Sequence, residues 1–174
     1  MKTISISTSP EHYYNHAKGT AFHGLFQETP DYDDPSASST GGVCFLYIKN
    51  LSPIDIIFEG FEIRLGGTGQ NEIIEVVSNE DATPIGGNTL TPANMNLSSG
   101  IIANGTFLSS GNISGMTKGT ILNRYYIESS HTTQLFNFEQ NIIIPTNKTV
   151  TFWAEYGGNE LDGTLIFYFH DANE

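Results

Sequence analysis

From Val43 to the end of the chain the apolar residues recur with a period of two, and no stretch sustains a period of 3.6 over three turns. That periodicity excludes helical bundles and leaves strands as the building material. The alternation is cleanest near the C-terminus. Val150, Phe152, Ala154 and Tyr156 alternate with Thr151, Trp153 and Glu155, and Leu165, Phe167 and Phe169 alternate with Ile166, Tyr168 and His170. Between them Gly157-Gly158-Asn159-Glu160-Leu161-Asp162-Gly163 reads as a wide hairpin loop.

Upstream, Cys44, Leu46 and Ile48 alternate with Phe45, Tyr47 and Lys49, and Asn50 to Pro53 closes this strand as a turn. The next strand carries Ile54, Ile56 and Phe58 on one face, but its later apolar residues are Phe61, Ile63 and Leu65. The phase slips by one at Glu59-Gly60, which predicts a β-bulge at a glycine. Gly66 to Gly69 turns the chain into a third strand over Glu72 to Val77. Further strands are expected at 101–108, 120–128 and 134–138, with 142–144 a short apolar piece. About eight short strands with Gly, Pro and Asn turns describe an all-β fold, an antiparallel β-sandwich that is jelly-roll-like.

A chain of 174 residues suits one domain, but residues 1–42 read differently from the rest. Two proline-bearing patches, Ser9-Pro10-Glu11 and Thr29 to Pro35, flank a polar-aromatic segment, and Ser36 to Gly42 is linker-like. The expectation is an extended N-terminal arm and linker over 1–42, with scattered anchors at Tyr13, Tyr14, Phe22, Leu25 and Phe26, and a sandwich domain over 43–174. The arm lacks the apolar content to fold alone.

The formal charge is −12, from 19 acids against 7 bases. A nucleic-acid surface needs clustered Lys and Arg to neutralise phosphates, so no nucleic-acid partner is expected, and an anionic membrane surface is disfavoured for the same reason. No run approaches the roughly 20 apolar residues that cross a bilayer. Cys44 is the single cysteine, so no intrachain disulfide forms, and its apolar neighbours predict a buried structural thiol. The N-terminal residues lack an apolar stretch of signal-peptide length, so assembly in a cytoplasm is expected, and the sequons at Asn50, Asn96, Asn104, Asn112 and Asn147 are read as chance matches.

His12 and His16 stand four apart, the spacing of a helical metal site, but a proline precedes them and no helical period surrounds them. Asp31, Asp33 and Asp34 offer hard oxygen ligands without the glycine and distal glutamate of a calcium loop. The glycines at 66–69 lead into a strand rather than a helix, so no phosphate cradle is expected. Glu139, Glu155, Glu160 and Asp162 include no selected pair for glycoside hydrolysis, and no nucleophile elbow surrounds any Ser or Cys. Not an enzyme, no cofactor and no metal is the resulting expectation. Tyr125, Tyr126, Trp153 and Tyr156 are candidates for a glycan-stacking platform, though alternating strand aromatics ordinarily form cores and cross-strand pairs.

One segment has no such bland reading. Residues 86–100, Gly86 to Gly100, contain no charged side chain in an otherwise acidic chain. Within it Asn88-Thr89-Leu90-Thr91-Pro92-Ala93-Asn94-Met95-Asn96-Leu97 resembles a "T-P-x-N-x-N" segment of small β-sandwich virion proteins of tailed bacteriophages. His16-Ala17-Lys18-Gly19-Thr20-Ala21-Phe22 is similar to that family's N-terminal arm. Leu46, Ile48, Lys49 and Asn50 resemble the core of its first strand, and Ile142-Ile143-Ile144-Pro145 with Val150 to Trp153 looks like its apolar-Pro turn and penultimate strand. Thr146-Asn147-Lys148 departs from the Pro-Gly type turn expected there.

The resemblance implies a virion structural protein, most readily a capsid decoration or auxiliary head protein, with the tip of a tail or head fibre that binds a receptor or glycan as the alternative. It implies the major capsid protein or other virion proteins as partners, a homotrimer, and a place in the virion after assembly in the host cytoplasm. The inter-subunit or capsid contact is expected at His16, Gly19, Phe22, Thr91, Pro92, Asn94 and Asn96. Asn, Thr and backbone groups could bond across a symmetric contact there without like-charge repulsion.

Overall fold

The computed structural model describes residues 18–30, 41–66, 70–79, 83–129 and 132–170, and for 139–141 the backbone alone. Its strands are β1 (Ala21–Glu28), β2 (Val43–Asn50), β3 (Asp55–Gly66), β4 (Glu72–Ser78), β5 (Asn88–Thr89), β6 (Ala93–Asn94), β7 (Gly105–Ser109), β8 (Thr120–Ile127), β9 (Gln134–Ile144), β10 (Thr149–Ala154) and β11 (Glu160–His170). They form two antiparallel sheets, ordered β6-β1-β11-β3-β9 and β5-β7-β2-β10-β4-β8. The chain is an all-β sandwich, as its period of two requires.

The layers close on an aromatic core. Phe58 of the first sheet meets Phe152 of the second at 6.0 Å between ring centroids, and Phe26 meets Phe45 at 5.9 Å. Within the first sheet Phe22, Phe167 and Phe58 follow one another across β1, β11 and β3. Alternate residues of both sheets fill this space, and the inner face reads as every second residue except where bulges shift the phase in β2 and β3.

The phase slip at Glu59-Gly60 is a bulge, as expected. Ile166 of β11 pairs with Gly60 and Phe167 with Phe58, leaving Glu59 as the extra residue. The glycine is there for room. A Cβ on Gly60 would lie far inside contact distance of the Phe136 carbonyl oxygen of β9.

Five expectations need correction. The sandwich begins at Ala21, not Val43: β1 pairs with β11 from Ala21↔Tyr168 to Glu28↔Leu161, with Phe22 and Phe26 in the core. Gly24 hid this strand by interrupting the apolar alternation, and a Cβ there would come within 2.8 Å of the terminal Cδ2 of Leu90. The remainder of the expected arm, with Tyr13, Tyr14 and Asp31 to Asp34, lies outside the described residues.

β10 and β11 do not form a hairpin. They lie in different sheets, so the 155–159 turn crosses the sandwich, because both alternating faces bury into the same core. Cys44 does not share a face with Leu46 and Ile48. A bulge pairs Phe152 with Leu46 and Trp153 with Cys44, which turns Phe45 inward beside Leu46 and Cys44 outward. The strand expected at 101–108 is Gly105–Ser109, and the pieces at 134–138 and 142–144 are one strand, β9.

Cys44 is nonetheless buried, and burial pushes its thiol well above the ordinary value. It belongs to a second, smaller cluster on the outer face of the second sheet, with Tyr47, Val77, Ile113 and Trp153. The chain that follows β7 lies over this cluster, tied down by Ile113 N donating to the Cys44 carbonyl at 2.8 Å.

Candidate functional site

Between β4 and β8 the chain makes its longest excursion, and the uncharged segment is its centre. Thr89 of β5 pairs with Leu108 of β7 in the second sheet. Leu90 then drops into the core, and Ala93 and Asn94 of β6 pair with His23 and Phe22 of β1 in the first sheet. One short stretch thus joins both layers along one side of the sandwich. β5 and β6 are two residues each, a length that offers a neighbouring strand little to pair with.

The asparagines hold the loop that follows. Asn94 Nδ2 donates to the Gly19 carbonyl at 2.7 Å and to the Ile101 carbonyl at 2.9 Å, while its Oδ1 accepts from Asn96 N at 2.8 Å. Asn96 Oδ1 in turn accepts from the backbone and hydroxyl of Ser98. Residues 94–101 are drawn into a closed loop by these side-chain bonds, with Met95 N donating outside it to the Ala21 carbonyl at 3.0 Å. Gly19 packs beneath it with φ +75°, where a Cβ would strike the Ser99 side chain.

The structure therefore brings Gly19, Phe22, Asn94 and Asn96 together, and it gives them internal work. Phe22 is fully buried in the core. Both amide protons of Asn94 are engaged within the chain. Thr91 is exposed and Pro92 half-buried on the approach to β6. His16 lies outside the described residues. An aspartate at position 94 would face two carbonyl oxygens, so weakened assembly in such a variant would report on the loop as much as on any contact.

What the loop presents outward is aliphatic. Leu97 is 95% exposed and Ile102 83%, with Ile101 and Met95 also on the surface. Ile101 and Ile102 fall in the strand expected at 101–108 but lie before β7, and Met95 and Leu97 follow no strand alternation. The available signal was four aliphatic residues inside a run of Asn, Ser and Gly. The neutrality is also broader than residues 86–100, because no Asp, Glu, Lys, Arg or His occurs from Ala82 to Thr117.

Charge returns directly beyond that stretch, where Lys118 and Arg124 meet Glu75 on the outer face of the second sheet. Arg124 Nε donates to Glu75 Oε1 at 2.8 Å, and the Lys118 ammonium stands 5.5 Å from the centre of the Trp153 ring. Burial alone would push the Glu75 carboxyl up; the two cations more than offset it and hold it below the ordinary value of 4.5. Stability contributed by this depressed group is present above pH 4.5 and is lost as pH falls through the lowered value. Thermal melts from pH 7 to pH 3 should therefore show the gap between wild type and Glu75→Gln constant above about pH 4.5 and narrowing below it. A gap that widened on acidification would contradict this assignment.

The remaining candidates separate. Asp162 pairs with Arg64 at 2.6 Å and Glu160 accepts from Gln27, all on the outer side of the first sheet. Asp162 and Glu62 line one open cavity together with Gln27, Arg64 and Thr133, and the Arg64 guanidinium engages Asp162 there. Trp153 is buried, with Nε1 donating to Thr151 Oγ1 at 2.8 Å, and Tyr125 packs edge-on against Phe61. Tyr126 and Tyr156 are exposed, and Tyr125 is half-buried. Among the described residues no three His, Cys, Asp or Glu side chains gather as metal ligands. No protein-family model matches the chain, and no curated protein and no solved structure does either.

Proposed function

We propose that this chain is a virion structural protein, a capsid decoration or auxiliary head protein of a tailed bacteriophage, acting through protein–protein contacts. The observation that carries the proposal is the segment 94–102: uncharged, tied by side-chain hydrogen bonds, and displaying aliphatic side chains that a soluble surface does not need. The strand order supports a jelly-roll reading. β1-β11-β3-β9 and β2-β10-β4-β8 are the two four-stranded sheets that such a fold requires, with β5, β6 and β7 inserted between β4 and β8. Jelly rolls recur in viral capsid and lectin domains, so this support is by analogy of fold. A homotrimer in contact with the major capsid protein is the assembly the resemblance implies.

A second reading, a glycan-binding fibre tip, is favoured by one observation. Arg124 and Tyr126 share the outer face of the second sheet, with exposed Tyr156 at its end. Proteomics of purified particles of the virus encoding this chain should find it at a copy number comparable with the capsid subunits. Its absence from particles would overturn the structural proposal. Occurrence at a few copies, with binding to one glycan class that Tyr126→Ala abolishes, would favour the fibre reading instead.

A further inference from the structure

We propose that the open cavity on the outer face of the first sheet binds a neutral saccharide through its hydroxyl groups. This site goes beyond the structural role above and does not depend on it. It also lies on the other sheet from Arg124, Tyr126 and Tyr156.

Strand register assembles the cavity. Gln27 of β1 stands opposite Asp162 of β11, and Asp162 stands opposite Arg64 of β3. The neighbouring row runs from Leu25 to Thr164 to Glu62 across the same three strands. On each strand the two contributors are two residues apart, so all six share the outer face. With Thr133 they border a space of about 550 Å³, a size usual for small-molecule sites.

Two of these groups are fixed before a ligand arrives. Arg64 Nη2 donates to Asp162 Oδ2 at 2.6 Å, and Gln27 Nε2 donates to Glu160 Oε1. Little side-chain freedom there remains to be lost on binding. Glu62 is half-buried, and among the described residues its carboxylate has no hydrogen-bond or ion-pair partner. It is an acceptor left over by the fold.

The mixture of groups selects the ligand. A simple cation meets the Arg64 guanidinium in this cavity, and a simple anion meets Glu62 and Asp162. Among the described residues no third His, Cys, Asp or Glu joins the two carboxylates as a metal site would require. An apolar ligand would take water from three charged groups and return no hydrogen bonds. Sugar hydroxyls donate to carboxylates and accept from a guanidinium, so they serve both kinds of group without carrying charge. Leu25, 74% exposed beside Thr164, offers an aliphatic surface to the C–H face of the ring.

The test is saturation-transfer NMR on the full chain, with glucose, galactose, mannose and N-acetylglucosamine as probes, each titrated into the millimolar range. At least one should bind saturably. Glu62→Ala and Asp162→Asn each remove or neutralise a charged acceptor, and each should weaken that binding by about tenfold. Tyr126→Ala, on the second sheet, should leave it unchanged. Circular dichroism melts establish that each variant is folded.

Absence of saturable binding by all four sugars overturns the proposal, as does binding that both cavity variants leave intact. Loss of binding in Tyr126→Ala with both cavity variants unaffected would place the sugar on the second sheet, and overturns it too. Spermidine and inorganic phosphate are the charged controls. Binding of either in place of the sugars would show that charge, and not hydroxyl matching, fills the cavity. Particle proteomics reads the virion role separately, so a sugar-binding chain absent from particles would keep this site and remove that role.

Discussion

Replacing Gly60 by alanine should lower the unfolding free energy by about 3 kcal/mol or more, a large fraction of what holds a domain of this size together. The added methyl would be driven into the Phe136 carbonyl oxygen on β9. That oxygen belongs to the backbone of a paired strand and has no rotamer through which to yield. Moving it separates β3 from β9, and Phe61 loses its stacking on Phe136 at 5.0 Å and its contact with Phe138. Gly158→Ala is the matched control. Nothing lies within 4 Å of the Cβ there, and the residue sits at φ +76°, so backbone conformation alone is charged, about 1 kcal/mol. Urea unfolding of the two variants separates steric from conformational cost. Equal losses would show that the bulge gives way easily, contrary to this account.

The second large effect is expected at Glu72, a fully buried glutamate at the start of β4. Its carboxylate accepts four N–H groups: Ile73 N and Tyr156 N at Oε1, at 3.0 and 2.8 Å, and Gly157 N and Asn159 Nδ2 at Oε2, at 3.0 and 3.2 Å. Three of these belong to the turn that carries the chain from β10 in one sheet to β11 in the other. Glu72→Ala orphans those donors in a closed site and should cost on the order of 3 kcal/mol. The loss should be local at first, so hydrogen exchange at Tyr156 and Gly157 should quicken well before that of β2 or β3. Uniform acceleration along the chain would argue against a latch.

Burial pushes the Glu72 carboxyl above 4.5, against the four donors that favour its ionised form. A folded-state value raised above the unfolded one contributes stability that is full below pH 4.5 and fades as pH rises through the raised value. Glu72 and Glu75 therefore pull in opposite directions on acidification, though they stand three residues apart on one strand. The difference is in what opposes burial: the four N–H dipoles fall short of offsetting it at Glu72, and the two cations more than offset it at Glu75.

The period of two made the class of fold legible, and the broken phase at Glu59-Gly60 located a bulge to the residue. The alternation in 150–156 and 165–170 found β10 and β11 but not their relation, because a strand's side-chain pattern records that one face is buried and not which strand lies beside it. β1 escaped notice because Gly24 interrupts its apolar series. The side chain that packs against that glycine, Leu90, is far away along the chain.

The candidate surface divides the same way. The absence of charge in residues 86–100 was visible at once and marked the region as unusual. Which of its side chains serve the fold and which face solvent is not visible there, and the expected contact at His16, Gly19, Phe22, Thr91, Pro92, Asn94 and Asn96 includes residues with internal roles. Asn94 and Asn96 are turned inward by carbonyl groups that only the assembled sheets bring within reach, while Leu97 and Ile102 are left outside by the same closure.

The sequence by itself determined most of the strands, the sandwich, the buried thiol at Cys44 and a neutral stretch in an acidic chain, since each follows from local spacing and composition. Only the tertiary structure decided that residues 21–28 are a strand of the sheet, that β10 and β11 lie in different layers, and that Glu72 is a latch. It alone left aliphatic side chains of the neutral stretch exposed. Those outcomes depend on contacts between residues far apart in the chain, and a pattern read along the chain carries no record of what will stand across from it.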